Sequence, residues 1–165
     1  MMGKFRRETL ERDFNELKEG LPDIPLTERA WAAGLWDGEG STSLQKSKEG
    51  VPRFPRMSVS QKYYPDAIDR FHEATAQLGT LTSRVRPDMT KYGVVYQWRC
   101  LVSARIRVIM EVILWPYLSP VKQHQYLHCI ITQRQVEGGI TDGTAGSTLI
   151  PADYESLAGE RGLVL

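Results

Sequence analysis

The chain has 165 residues, of which 41% are hydrophobic and 25% charged, with a formal net charge of +1. That length accommodates one domain with tails and buries a core without disulfides or a structural metal. No apolar run approaches the roughly 18 residues that span a bilayer, and the basic start Met1-Met2-Gly3-Lys4-Phe5-Arg6-Arg7 leads into Glu8, Glu11 and Asp13, not a signal core, so the expectation is a cytoplasmic protein without a membrane partner.

The first predicted element is an amphipathic helix over 4–19, with Phe5, Leu10, Phe14 and Leu17 on its apolar side. Gly20-Leu21-Pro22 ends it. A second helix is predicted from an N-cap at Thr27, with Glu28 in its first turn, to a stop at Gly38. Two strands follow over 41–47 and about 53–62, joined through Gly50-Val51-Pro52. Pro65 opens a middle helix through Ile68, Phe71, His72, Ala76 and Leu78, which Gly79 closes. Strands at 81–86 and 94–101 form the second hairpin. Ile106, Ile109, Met110, Ile113 and Leu114 mark a further helical face that Pro116 interrupts, and 122–135 continues as another helix. The remainder, 138–165, is rich in Gly, Thr and Ser, with a short helix after Pro151 and an expectation of mobility.

The order αββαββα predicts an α+β fold in which a four-stranded antiparallel sheet packs helices on one face. Strand parity gives the other face a polar character, because Ser41, Ser43, Gln45 and Ser47 alternate together, as do Gln97 and Arg99 on the last strand. Arg56, Ser58, Arg84 and Arg86 can join them, a set able to reach base edges in a major groove. Charge agrees in its placement: residues 41–107 hold 12 Lys/Arg against 5 Asp/Glu, leaving 9 against 15 for the ends. Cys100 and Cys129 lack metal-ligand spacing and are read as buried thiols. His124 and His128 stand four apart beside Cys129, but this set is incomplete for a metal and reads as a packed or solvated helix face.

The most specific stretch is Ala32-Ala33-Gly34-Leu35-Trp36-Asp37-Gly38-Glu39-Gly40-Ser41. Ala30, Gly34 and Gly38 are four apart, with Ala33 beside them, so one helix face is nearly free of side chains and two backbones can approach there. This stretch resembles the signature of the LAGLIDADG homing endonucleases, and the resemblance covers about 27–136. It implies domain limits of an N-terminal helical extension (1–25), an endonuclease domain (26–137) with a saddle-shaped sheet, and a C-terminal tail (138–165). It also implies a homodimer in contact through Ala30, Ala33, Gly34, Asp37 and Gly38. Glu39 would then be the metal ligand, assisted by the Gly38 carbonyl, with Mg²⁺ or Mn²⁺ as cofactor and Asp37 serving mainly structure.

Val59-Ser60-Gln61-Lys62 is similar to the end of the family's second strand, which carries a water-orienting role onto Gln61. The stretch Trp115 to Gln125 resembles the one preceding the family's last helix, whose lysine near the scissile phosphate is here Lys122. The resemblance thus implies metal-dependent cutting of both strands of a long, roughly palindromic duplex DNA. The alternative is a DNA-binding regulator that does not cut, or a maturase with intron RNA as partner.

Overall fold

The structure is a computed structural model describing residues 2–48, 52–85, 93–140 and 142–165. Its elements run α1 (Met2–Glu19), α2 (Leu26–Glu39), β1 (Ser41–Lys46), β2 (Pro52–Lys62), α3 (Pro65–Ala74), β3 (Thr80–Val85), β4 (Val94–Cys100), α4 (Ser103–Arg107), α5 (Pro120–Glu137) and α6 (Pro151–Glu160). Between α4 and α5 the chain passes through a π-helical segment, Val108–Leu114, and a 3₁₀ turn, Trp115–Tyr117. The middle of the chain is therefore the expected αββαββα, a mixed α+β architecture. All strand pairs are antiparallel in the order β1-β2-β4-β3.

Burial follows strand alternation. Met57 and Val59 on β2, and Trp98 and Cys100 on β4, point to the helices and are almost wholly buried. Trp98 meets the edge of Phe71 from α3 at a centroid distance of 4.9 Å, and Phe71 stacks on Trp36 from α2 at 5.9 Å. This trio ties the motif helix to the sheet. Gly79 is required beneath it, since a Cβ there would lie 2.1 Å from the Trp98 ring. The π-helical segment completes the core with Val108, Ile109, Met110, Ile113 and Leu114, all fully buried.

Several boundaries differ from those predicted. Helix α2 starts at Leu26, not after a Thr27 cap, because extended Pro25 offers its carbonyl to the Glu28 and Arg29 amides at 3.0 and 3.1 Å. It passes through Gly38 and ends at Gly40, whose amide bonds the Trp36 carbonyl at 2.8 Å; a Cβ there would come within 2.2 Å of the Trp36 ring. Helix α3 ends four residues short of Leu78, since the Thr75 hydroxyl donates to the Phe71 carbonyl and Ala76 and Gln77 take positive φ. Helix α5 begins at Pro120, two residues before Lys122, behind a Ser119 N-cap.

Both flanking segments dock on the helical layer. On α1, Phe14 is buried beneath the Arg107 guanidinium at 4.0 Å from the ring centroid. The segment after 138 carries α6, whose Leu157 and Ala158 enter the core, and Trp115 donates to the Val164 carbonyl at 2.9 Å. Arg161 pairs with Glu111 of the π-helical segment, and Glu111 also receives Arg107 at 3.0 Å and the Tyr126 hydroxyl at 2.7 Å. No helix among the described residues is long and apolar enough to cross a membrane.

Candidate nucleic-acid interface and catalytic end

The strand register sorts the polar face into rungs, since cross-paired residues share a face. Ser60, Gln97 and Thr82 make one rung; Ser41, Ser58, Arg99 and Thr80 the next; then Ser43 with Arg56; then Gln45 with Phe54. The backbone of Arg84 pairs with Val95, two residues along β4 from Gln97. Ser41, Ser43 and Gln45 are exposed, and Arg56, Ser58, Gln97 and Arg99 half-buried. Gln97 donates from Nε2 to Ser60 Oγ at 3.3 Å, which fixes its amide along the rung. Ser47 lies past the end of β1, where the register shifts between Gln45 and Lys46, so alternation does not carry to it. Arg86 lies outside the described residues.

At one end of these rungs α2 enters β1. Glu39 is the last residue of α2 and is exposed; Gly40 is buried against Trp36. Lys122, in the first turn of α5, donates from Nζ to the Gly40 carbonyl at 2.5 Å. Glu39 and Lys122 come from separate stretches of the sequence, and the contact of Lys122 with the Gly40 carbonyl, 82 residues away, brings them to one junction. Their spacing is held by a second link: the Asp37 carboxylate accepts from the Ser119 amide at 3.1 Å and from the Ser119 hydroxyl at 2.9 Å. Ser119 in turn accepts from the Lys122 amide, so one serine caps α5 and clamps it to the motif helix.

Gln61 stands three residues beyond Ser58, the partner of Ser41, and hence at this same end of the sheet. Its partner is Tyr96, which gives it the parity of Val59 and Trp98 and not that of the polar rungs. It is half-buried at the rim of the helical layer.

The motif helix presents Ala30, Gly34 and Gly38 to solvent, and a Cβ built on either glycine would meet nothing within 4 Å. Ala33 is fully buried in the chain's own core, one position round the helix, and Asp37 is engaged by Ser119. Beside the junction, His124 and His128 pack on Tyr154 of α6, with His128 Nδ1 at 3.1 Å from its hydroxyl. Among the described residues no group of three or more His, Cys, Asp or Glu is placed to hold a metal within one chain. Both cysteines are free and buried; desolvation raises the thiol pKa of Cys100 and pushes that of Cys129 up to about 11.

Three solved structures are similar to this chain. The group I intron-encoded homing endonuclease I-CeuI complexed with DNA aligns at a TM-score of 0.49 and 14% identity, over 81% of this chain and 68% of that one. A homing endonuclease, I-TnaI, aligns at 0.47 and 16% identity, over 67% and 74%. The LAGLIDADG meganuclease I-CpaMI bound to uncleaved DNA aligns at 0.48 and 13% identity, over 83% and 52%. No family model matches the chain, and no curated protein matches it.

Two features of the site escaped sequence reasoning. The Gly40 carbonyl as the seat of Lys122 has no side-chain signature. The Asp37–Ser119 clamp had one: Ser119 before Pro120 is an N-cap pattern, and a capped helix start needs a fixed neighbour.

Proposed function

We propose that this chain is one half of a homodimeric, site-specific DNA endonuclease of the LAGLIDADG type, hydrolysing both strands of a long duplex site with divalent-metal assistance. The observation that carries the reading is the Lys122 contact with the Gly40 carbonyl. It sets a cation one residue from the motif glutamate, at the inner end of a face of Ser, Gln and Arg rungs.

Each copy contributes the Glu39 carboxylate and the Gly38 carbonyl, oxygen donors of the kind Mg²⁺ and Mn²⁺ prefer. With Asp37 committed to Ser119, one chain supplies a single free motif carboxylate. The donor set therefore fits as half a site, completed by a second copy across a contact of Ala30, Gly34 and Gly38. When bound, the metal neutralises phosphate charge and lowers the pKa of a water nucleophile. Lys122 has three N–H donors, and with one on Gly40 the others remain for a phosphate oxygen as negative charge grows there. Gln61 orients water at the rim. Water adds to phosphorus and the ester P–O bond breaks, with no covalent protein intermediate.

The rungs lie in the major groove, where Arg56 and Arg99 suit guanine and Gln97 suits adenine. The test is selection from a randomised plasmid library with Mg²⁺, comparing wild type with Glu39→Gln. Cleavage at an enriched site by the wild type alone supports the reading. Dimeric duplex binding without cleavage moves it to a regulator or intron-RNA maturase. Failure to bind duplex DNA overturns it.

A further inference from the structure

The polar face does not stay polar along its length. Phe54, on the outermost rung opposite Gln45, is 41% exposed. Leu101 and Val102, just past β4, are 48% and 50% exposed. The register carried one step beyond the Met57–Cys100 pair sets Leu101 beside Arg56 with the parity of the polar rungs, toward the end of the sheet farthest from Glu39, while Val102 takes the opposite parity and lines a groove of the helical layer. Arg6 reaches over from α1 and lays its guanidinium on the Phe54 ring at 4.9 Å, while also pairing with Glu137 at 3.2 Å. The ring is thus anchored from above, which lowers the ordering cost of using it as a contact.

Single exposed apolar residues need no explanation. Here two share the polar face, Leu101 beside Arg56 and Phe54 one rung farther out opposite Gln45, with Arg6 on the Phe54 ring. Along β2, Phe54 is six residues from Ser60, a span of ~20 Å at ~3.3 Å per residue. That is about six base pairs of duplex. The only apolar group on the major-groove edge is the thymine 5-methyl, and phenylalanine is among the side chains that meet it.

Resting on the duplex-DNA reading above, we infer that Phe54, flanked by Leu101, is a thymine-methyl reader. The outer part of each half-site is then selected for thymine, while Arg99 and Gln97 read purines about four and about six base pairs nearer the centre. Arg6 is a positioning residue for the ring.

The experiment replaces thymine by deoxyuracil, which deletes the methyl and leaves every hydrogen-bonding group in place. Wild-type protein is titrated by mobility shift against its selected duplex and against copies carrying deoxyuracil at outer or at inner thymines. Outer replacement is expected to weaken binding about fourfold per contacted methyl, the worth of one such group buried. Phe54→Ser should bind the two outer duplexes equally, and Arg6→Gln should reduce the discrimination without abolishing binding. Equal wild-type affinity for thymine and deoxyuracil duplexes, with binding intact, overturns the inference alone. Absence of duplex binding removes the function it rests on.

Discussion

Lys122 Nζ donates to the Gly40 carbonyl at 2.5 Å, and Gly40 directly follows Glu39. A lysine that spends one donor on backbone is held in place before any substrate arrives, which is the preorganisation that charge stabilisation needs. Lys122→Met keeps the length of the side chain and removes only the ammonium. Its cleavage rate is expected to fall by about 10²–10³, the usual consequence of deleting one such donor. Duplex affinity, read by mobility shift, should change by less than about tenfold, as one phosphate contact among many is lost. A parallel collapse of binding and cleavage would make Lys122 a general DNA contact.

Asp37 accepts from both the amide and the hydroxyl of Ser119, joining the end of α2 to the cap of α5. Asp37→Ala removes a charged acceptor and strands the Ser119 amide. A loss of about 1.5–3 kcal/mol is expected by urea unfolding, the range for bonds to charged groups. Cleavage should fall further than stability explains, because α5 and Lys122 lose their register to Gly40. Ser119→Ala tests the link from the other side, and a smaller loss is expected since the amide bonds persist.

How far this arrangement was legible depended on whether a residue's role was local. The αββαββα order followed from turn signals and strand parity, and the rungs containing Ser41, Ser58, Arg99 and Gln97 followed from that parity. The helix stop was misplaced at Gly38 because the deciding contact, Trp36 against Gly40, is a side-chain packing that propensity does not encode. The π-helical segment read as an ordinary amphipathic helix because its buried residues recur at nearly helical spacing. Gln61 keeps the sheet end that the resemblance implied, but its pairing with Tyr96 puts it on the helical side. Phe54 shares the parity of Arg56 and Ser58, so alternation already placed it on the polar face, against the general tendency of phenylalanine to face a core.

Arg161 and Glu111 are both almost wholly buried, at 8% and 4% side-chain exposure, and Glu111 also holds Arg107 and Tyr126. Burial, with Glu111 adding to it, raises the Tyr126 phenol well above its ordinary pKa, so the hydroxyl stays a donor. Arg161→Ala leaves a buried carboxylate with one of its two cations and is expected to cost about 3 kcal/mol by urea unfolding. The double variant Arg161→Met with Glu111→Met should be less destabilised than the sum of the singles. Additive losses would mean that the pair is not coupled.

The thiols give a direct check on burial. With its pKa at about 11, Cys129 carries little thiolate at pH 8, and Cys100 is shifted in the same direction. Alkylation of Cys129 by iodoacetamide at pH 8 should be at least about 100-fold slower in the folded protein than in urea, where the free thiol pKa near 8.5 returns, and Cys100 should be slowed in the same direction. Fast labelling of either cysteine under native conditions would contradict its place in the core.

Gly34 allows the proposed dimer contact to be tested apart from the fold. Within one chain a Cβ at this position meets nothing within 4 Å, and the residue lies mid-helix on an exposed face with Ala30 and Gly38. Glycine there costs the helix about 1 kcal/mol relative to alanine and has no neighbour within its own chain that a Cβ would meet. Gly34→Leu should therefore unfold at an equal or higher temperature when measured as a monomer, while filling the space a second helix backbone needs. Sedimentation is expected to show a shift from dimer to monomer, and cleavage should disappear because each Glu39 loses its counterpart. Gly34→Ala, adding a single methyl, should weaken association less. A Gly34→Leu protein that remains dimeric and cuts DNA would place the contact on another surface and leave the exposed glycines without a function.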